Sequence, residues 1–258
     1  MFCGRTLNPR FWIKWIFFPG FDIATRKRRK LAQKYLSRES FTLDAGCGNG
    51  TFSYICCRLG GTALGISNDK GQIARCIEYR DFIGLDPKRC QFQVHNIYEL
   101  LSLNCRFDQV ICFEVLEHLE RDSQVLGLFH KVLKPGGLLH VSTPFLLREP
   151  YFGEAISTVE DGGHLRLGYT FESLERLLVE AGFEMLLKDS AVGFFAQKLG
   201  NLAARIQGFS FLPPMIRMGL LMLGSPLYLL TFLDPLVPHE DLVIYVQARR
   251  KKEMATEL

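Results

Sequence analysis

The stretch Leu43-Asp44-Ala45-Gly46-Cys47-Gly48-Asn49-Gly50 decides the fold of this chain. An apolar run at 41–43 leads into it, and residues 52–59 then carry apolar side chains three and four positions apart, the spacing of one helix face. The order is therefore strand, glycine loop and helix. In open α/β sheets such a loop lies at the carboxyl end of a strand, where ligands bind.

The spacing of the glycines indicates which classes of ligand the loop could bind. They follow a G-x-G-x-G pattern, which differs from the G-x-G-x-x-G of nicotinamide and flavin proteins and from the phosphate loop G-x-x-x-x-G-K-S/T. The acid at Asp44 suits a ligand with a positively charged amino group better than one with a pyrophosphate. An ordinary glycine turn between a strand and a helix is the alternative interpretation.

This stretch resembles motif I of the class I S-adenosylmethionine (SAM) methyltransferases. The resemblance implies that Asp44 holds the amino group of the methionine portion of SAM. It also implies that Gly46, Gly48 and Gly50, together with Asn49, let the loop pack against the methionine and ribose portions.

Two further stretches resemble the same class. Residues 107–119 read as a strand, F-D-Q-V-I-C, followed by F-E-V-L-E-H-L, and are similar to the family signature at this point. Residues 133–137, L-K-P-G-G, resemble the turn before the fifth strand of the family. Three matches in this order predict an α/β fold, a Rossmann-like seven-stranded sheet with helices on both faces and an antiparallel last strand.

The predicted second strand, 62–66, ends differently from most of the family. Many members have an acid there that binds both ribose hydroxyls, whereas this chain has Ser67 and Asn68, with Gln72 following. This form is similar to that of cyclopropane fatty-acid synthases and tocopherol methyltransferases. A serine or asparagine still hydrogen-bonds a hydroxyl, more weakly than an ionised acid.

The rest of the expected cofactor set comes from the third and fourth strands. Asn96 and Ile97 stand where the family faces the adenine amine, and an asparagine oxygen accepts a hydrogen bond from such an amine. A simple asparagine turn is the alternative. By the resemblance, Phe113 and Glu114 complete the cofactor-binding residues.

A possible metal site follows the fourth strand. Glu114, Glu117 and His118 stand at i, i+3 and i+4, so on one helical turn they would share a face, and His164 lies downstream in a long loop. This pattern resembles the ubiquinone-pathway O-methyltransferases and the small-RNA 2′-O-methyltransferases, which hold a divalent metal with such residues. Two carboxylates and two imidazoles could bind Mg²⁺, Mn²⁺ or Zn²⁺ and lower the pKa of an acceptor hydroxyl.

The same residues could also have roles that do not involve a metal. E-V-L-E-H occurs widely in methyltransferases not known to need one, and Glu114 and His118 would then serve as cofactor-pocket and capping groups. In that case His164 is the candidate catalytic general base, because imidazole titrates near neutral pH. A structural loop histidine is the alternative for His164.

The composition excludes some classes of function. The chain has 258 residues, 48% of them hydrophobic, and a net charge of +4, which is too small to indicate a nucleic-acid partner. The eight cysteines form no C-x-x-C pair and mostly lie in apolar runs, as expected of core residues in a reducing compartment. Because the sequence shows no convincing signal peptide, we expect a cytoplasmic protein.

Two segments lie outside the resemblance. Residues 1–40 form an expected N-terminal helical segment with an aromatic run at 11–18 and a basic run at 26–30, ahead of a methyltransferase domain at 41–258. Residues 190–240 form an expected hydrophobic helical insertion, in which 218–233 carry no charge. Both suit peripheral contact with an anionic membrane. The alternatives are a helix over the cofactor site with a solvated basic face, and a buried helical pair, dimer contact or pocket roof.

The sequence therefore predicts an enzyme that transfers a methyl group from SAM to a small, lipophilic acceptor, with O-methylation favoured. A cyclopropane-synthase-like enzyme acting on lipids, an RNA ribose 2′-O-methyltransferase and a non-enzymatic scaffold remain alternatives. Base methylation of a nucleic acid is disfavoured, because the fourth strand is not followed by a D/N-P-P-Y/F motif.

Overall fold

The computed structural model describes residues 9–16, 23–150, 155–223 and 225–251. Its centre is one seven-stranded sheet in the order β3-β2-β1-β4-β5-β7-β6. The strands are β1 (Phe41–Ala45), β2 (Thr62–Ser67), β3 (Cys90–Val94), β4 (Phe107–Phe113), β5 (Leu133–Pro144), β6 (Phe183–Ala191) and β7 (Val243–Arg250). β1 to β5 pair in parallel, and β7 lies antiparallel between β5 and β6. The Rossmann-like sheet with an antiparallel last strand is confirmed.

Helices cover both faces of this sheet. They are α1 (Pro9–Ile16), α2 (Ile23–Tyr35), α3 (Thr51–Arg58), α4 (Lys70–Phe82), α5 (Asp122–Val132), α6 (Phe171–Glu180), α7 (Phe194–Gly208) and α8 (Pro214–Leu223). Short 3₁₀ helices lie at Ile97–Leu103, Leu116–His118 and Ser225–Leu236. Thr170 caps α6 in a reciprocal hydrogen-bonded box with Ser173.

The central strand β4 divides the core between the two faces. Val110 and Cys112 point into a cluster formed with α5 and α6, and Ile111 and Phe113 point into a second cluster formed with α1 to α4. This alternation follows from the period of two in a strand. Both faces are apolar because both are covered, as parallel sheets require. Seven cysteines of the described residues are free, and six of these are buried.

The N-terminal segment packs on the same core as the sheet. On α1, Phe11 contacts the rings of Tyr79 and Phe82, with centroids 5.6 and 5.7 Å apart. Lys14 donates a hydrogen bond of 2.7 Å to the carbonyl oxygen of Asn49 in the glycine loop. α1 therefore lies against the loop. The predicted aromatic run extends to residue 18, and its last two residues lie outside the described part of the chain.

Two residues in the basic run of α2 are paired with acids, whereas Lys30 of the same run is exposed. Lys27 Nζ lies 2.9 Å from Asp234 Oδ2, and Arg28 lies 2.6 Å from the carboxylate of Glu114. Both basic side chains are mostly buried, since the insertion and the end of β4 place acids beside them. The alternative of a solvated basic face is therefore wrong for these two residues.

The insertion between β6 and β7 is helical, as predicted, and contains α7, α8 and the 3₁₀ helix Ser225–Leu236. Asp234 accepts hydrogen bonds from the backbone N–H groups of Phe195 and Ala196 at the start of α7, at 2.8 and 3.3 Å. This acid therefore anchors both α7 and α2. Across the described residues, no helix is both long and apolar enough to cross a membrane.

Candidate functional site

The glycine loop between β1 and α3 has the backbone that its sequence requires. Gly46, Gly48 and Gly50 all have positive φ, at +74°, +52° and +77°. A Cβ on Gly46 would lie 2.5 Å from a methyl group of Val115, and one on Gly50 would lie 2.6 Å from the hydroxyl of Tyr54. Gly48 has open space around it. Two of the three glycines are thus needed for close packing as well as for conformation.

Asp44 lies at the end of β1 beneath this loop. It is buried, and its Oδ2 accepts hydrogen bonds from the N–H and the hydroxyl of Ser53, at 2.9 and 2.6 Å. Burial raises the pKa of Asp44 to about 6, against the opposing effect of the Ser53 hydrogen bonds. The carboxylate joins β1 to α3 and is not among the described residues that line the cavity beside the loop.

A cavity of about 440 Å³ opens beside the glycine loop, at the carboxyl ends of β1, β2 and β3. Six residues of the predicted cofactor set line it: Gly46, Ser67, Asn68, Gln72, Asn96 and Ile97. The parallel order of the strands brings them together, because each lies at the carboxyl end of a strand, in the loop that follows it or in the first turn of the next helix.

Two of the predicted polar groups in the cavity already have partners. The Ser67 hydroxyl donates to Gln72 Oε1 at 3.1 Å, and Asn96 Oδ1 accepts from the N–H of Tyr98 at 3.0 Å. Asn96 thus caps the 3₁₀ helix Ile97–Leu103 as well as facing the cavity. The predicted turn role of Asn96 and its predicted cofactor role are compatible in this geometry.

Sequence reasoning missed several residues of the cavity wall. His95 follows β3, Val115 follows β4, and Leu119 follows the 3₁₀ helix Leu116–His118. Glu160, Asp161 and Gly162 line the cavity from the loop between β5 and α6. A hydrogen bond of 2.7 Å from the Tyr98 hydroxyl to Glu160 holds that loop over the cavity. No local sequence pattern identifies these loop residues as part of the cavity wall. They reach the cavity only because the loop crosses it in the folded structure.

Gly48 and Asn49 line a second cavity of about 330 Å³, which shares Gln72 with the larger one. Phe11 and Lys14 of α1 form part of its wall. Burial lowers the pKa of Lys14 to about 8. The ammonium also lies 4.2 Å from the centre of the Tyr79 ring, so α1 covers this side of the loop with a cation.

Glu114 and Phe113 occupy positions outside the larger cavity. Phe113 packs edge-on against Phe52, with ring centroids 4.6 Å apart. Glu114 has a left-handed φ of +54°, pairs with Arg28, and accepts a hydrogen bond of 2.9 Å from the Ser142 hydroxyl. The prediction that Glu114 shares a helical face with Glu117 and His118 is therefore wrong, because the positive φ interrupts the helix before the 3₁₀ turn Leu116–His118 begins.

The other three predicted metal-binding residues do come together. Glu117, His118 and His164 each offer a ligand atom, and these atoms lie within 4.8 Å of one another. The Glu117 carboxylate is completely buried, and neither oxygen accepts a hydrogen bond within the described structure. Burial, with the nearby charge of Glu114, raises the pKa of Glu117 well above its ordinary value.

The two histidines of this cluster are oriented by the backbone. His118 Nδ1 lies 3.0 Å from the carbonyl oxygen of Gly163, so that nitrogen donates, and in the neutral imidazole Nε2 carries the lone pair. His118 Nε2 lies 3.8 Å from Glu117 Oε1, and the two imidazole centroids are 4.6 Å apart. The N–H of Leu165 donates to the carbonyl oxygen of Glu117 at 2.9 Å, which fixes the loop of His164 beside the turn of Glu117.

Comparison with known proteins identifies the fold and the family. A family model described as a methyltransferase domain matches residues 36–166, half of the chain. The ubiquinone biosynthesis O-methyltransferase of Rattus norvegicus is 34% identical over 102 residues, which are 39% of this chain and about 30% of that relative's length. The 24-methylenesterol C-methyltransferase 2 of Oryza sativa subsp. japonica is 32% identical over 151 residues, 56% of this chain and 41% of the relative.

Solved structures agree on the fold. The cyclase SpnF has a TM-score of 0.61 and 22% identity, over 87% of this chain and 80% of that chain. A likeness of this degree concerns architecture and not chemistry. The family match, the glycine loop and the sheet order point the same way. The chain therefore belongs to the family of SAM-dependent methyltransferases.

Proposed function

We propose that this protein transfers a methyl group from SAM to a small, lipophilic acceptor, with an oxygen as the favoured acceptor atom. The observation that carries the proposal is the cavity of about 440 Å³ beside the glycine loop, walled by six of the residues expected to bind the cofactor. Ligands in open α/β sheets bind at this edge. The methyl of SAM is already activated by its sulfonium, so the protein mainly has to align the two reactants and exclude water.

In this proposal each part of the cofactor has its own partners. Ser67, Asn68 and Gln72 bind the ribose hydroxyls, and Asn96 and Ile97 hold the adenine. The glycine loop approaches the methionine portion, and the Asp44 carboxylate beneath the loop attracts its amino group. Since Asp44 already accepts two hydrogen bonds from Ser53, we propose that it acts through its charge and through the loop it supports.

A divalent metal at Glu117, His118 and His164 fits the residues present. A buried carboxylate without a hydrogen bond is costly, and a cation beside it would remove that cost. One carboxylate and two imidazoles form a donor set that suits Zn²⁺ better than Mg²⁺. When bound, such a metal lowers the pKa of an acceptor hydroxyl. Glu114 is outside this set, because its carboxylate pairs with Arg28.

The protein's own residues have defined roles in either case. The Gly163 carbonyl accepts a hydrogen bond from His118 Nδ1, and this contact orients Nε2 toward Glu117. Without a metal, we propose that His164 accepts the acceptor's proton, with His118 at its ring edge. The walls provided by Val115 and Leu119 exclude water from this side of the cavity.

The lipophilic character of the acceptor is supported by two observations. The relatives include proteins named for ubiquinone biosynthesis and for a methylenesterol, and both names refer to lipophilic compounds. The insertion beside α2 also exposes many apolar side chains.

The first experiment is calorimetric titration with S-adenosylhomocysteine. We expect micromolar binding by the unaltered protein. Ile97→Trp should fill the cavity and weaken binding at least about tenfold, a loss of about 1.4 kcal/mol. Leu101→Trp is the matched control, because Leu101 lies on the same 3₁₀ helix, is exposed and does not line the cavity. Absence of binding by folded protein would refute the proposal.

The metal is tested separately by elemental analysis of the purified protein after dialysis against Zn²⁺ or Mg²⁺. We expect about one Zn²⁺ per chain, lost in Glu117→Gln and His164→Ala. Glu120→Gln is the control, because Glu120 is exposed and lies three residues away. Equal metal contents in Glu117→Gln and Glu120→Gln would contradict the site without affecting the cofactor proposal.

A further inference from the structure

The insertion carries an unusual share of the apolar surface of this protein. Of the twenty-two large hydrophobic side chains exposed in the described residues, twelve lie between 209 and 236. We call these twelve the insertion surface. Phe211, Met215, Leu223 and Phe232 are the extreme cases, with exposed fractions of 77%, 86%, 80% and 70%. Soluble monomers rarely expose such a concentration of apolar groups, which marks an interaction site.

Helix α8 shows that this surface is organised. Its exposed apolar residues Met215, Ile216, Leu220 and Leu223 fall within about 140° of one another on a helical projection, and so they form one face. Arg217 lies about 60° beyond the last residue of that face on the same projection, and its guanidinium donates to the carbonyl oxygen of Gln207. An apolar helix face accompanied by a basic residue on the same helix is typical of helices that lie in a membrane interface.

The charges around the insertion surface select the partner. From 190 to 233 the sequence contains three basic residues, Lys198, Arg205 and Arg217, and no acid. Lys198 pairs with Glu149, which lies before the insertion. The acid that ends this stretch, Asp234, is already engaged by Lys27 and by the start of α7. A surface that is apolar and positively charged complements an anionic bilayer. A second copy of the chain would instead bring like charges together.

We propose that the insertion surface docks this protein on an anionic phospholipid bilayer. Lys27 and Arg28 are neighbours on α2, and one pairs with Asp234 of the insertion while the other pairs with Glu114 at the end of β4. The docked surface is therefore joined to the site through adjacent residues of one helix. Docking at this place presents the site to lipophilic molecules held in the bilayer. The docking itself does not depend on the proposed methyl transfer.

The test is flotation of the purified protein with two kinds of vesicle, phosphatidylcholine alone and phosphatidylcholine mixed with phosphatidylserine. We expect binding to the mixed vesicles that is weaker without phosphatidylserine and weaker at high salt. The double variant Phe211→Asp with Leu223→Asp should lose about tenfold or more in partition, because two charges would enter the apolar layer. Val179→Asp is the control, since Val179 is also an exposed apolar residue, on α6 and outside the insertion.

A charge variant tests the electrostatic part. Arg217→Glu should lower partition about fivefold or more, whereas Arg38→Glu, at an exposed site outside the insertion, should change it little. Circular dichroism and S-adenosylhomocysteine titration are done on the same samples. Folded protein that binds the nucleoside and fails to bind mixed vesicles overturns the docking proposal and leaves the cofactor proposal intact. A dimer in solution that Leu223→Asp separates also overturns it, because the surface would then be an interface between copies.

Discussion

The guanidinium of Arg28 lies 2.6 Å from the carboxylate of Glu114, and this ion pair joins α2 to the end of β4. Glu114 has a φ of +54°, a left-handed conformation that costs a residue with a side chain about 1 kcal/mol or more. The ion pair and the hydrogen bond from Ser142 hold this turn in place. This turn positions Glu117 and His118. Helix α2, which precedes the first strand of the sheet, therefore helps to shape the site.

We therefore expect Arg28→Met to destabilise the protein and to weaken S-adenosylhomocysteine binding. The variant leaves a mostly buried carboxylate without its cationic partner, which should lower the free energy of unfolding by about 1–3 kcal/mol. Urea denaturation and calorimetry measure the two effects. Arg38→Met is the control at an exposed position. If both variants unfolded at the same urea concentration, the ion pair would have no stabilising role.

The close approach of Gly46 to Val115 predicts that a second substitution restores cofactor binding lost in a Gly46 variant. Gly46→Ala places a methyl group 2.5 Å from Val115 Cγ2 and forces a left-handed alanine, so cofactor binding should fall at least about tenfold. Gly48→Ala shares the positive φ but meets no atom within 4 Å, and it should cost only the conformational strain. Adding Val115→Ala to Gly46→Ala should restore part of the binding. Without any recovery in the double variant, the steric explanation fails.

The raised pKa of Asp44 predicts a pH dependence of cofactor binding. Burial raises this pKa to about 6, so the carboxylate is ionised above that value and increasingly neutral below it. A positively charged amino group binds the ionised form better. The dissociation constant for S-adenosylhomocysteine should therefore rise as the pH falls below about 6, by up to about tenfold per unit. Asp44→Asn should bind more weakly above pH 6 and show a flat profile. A parallel slope in both proteins would assign the titration to another group.

The buried His140 predicts that the stability of the protein falls as the pH falls. It is buried in β5, hydrogen-bonded to the hydroxyl of Tyr245 and to Gln109, and burial lowers its pKa to about 3. The unfolded chain takes up this proton below about pH 6.5, whereas the folded protein does so only near pH 3. Stability should thus fall as the pH drops through this window, by up to about 1.4 kcal/mol per unit. In His140→Gln this part of the slope should be missing in urea titrations across the window.

The sequence predicted the parts of the site that depend on local rules. The strand, glycine loop and helix around Gly46 follow from apolar periodicity and from glycine's conformational freedom, and the parallel strands then bring Ser67 and Asn96 to the same edge. The helical spacing of Glu114, Glu117 and His118 did not predict their arrangement, because only the last two, which are adjacent in sequence, lie on the 3₁₀ turn.

What the sequence could not predict depends on long-range contacts. The conformation of Glu114 is coupled to Arg28, which lies 86 positions earlier, and no spacing rule connects them. Glu160 and Asp161 reach the cavity because a loop without periodicity crosses it. The basic run of α2 looked like a solvated or membrane-facing segment because its acidic partner Asp234 lies more than 200 positions away.

The side chain of Asp234 makes two contributions to stability, a helix cap and an ion pair, and substitutions can separate them. Its Oδ1 caps α7 at Phe195, and its Oδ2 pairs with Lys27. Asp234→Asn keeps an oxygen for the cap but loses the charge, whereas Asp234→Ala loses both. The alanine variant should be less stable than the asparagine variant by about 1 kcal/mol, the usual value of such a cap. Lys27→Met should resemble Asp234→Asn and leave the cap intact. Urea denaturation of the three variants gives these differences, and equal stability of the asparagine and alanine variants would show that the ion pair alone anchors the insertion to α2.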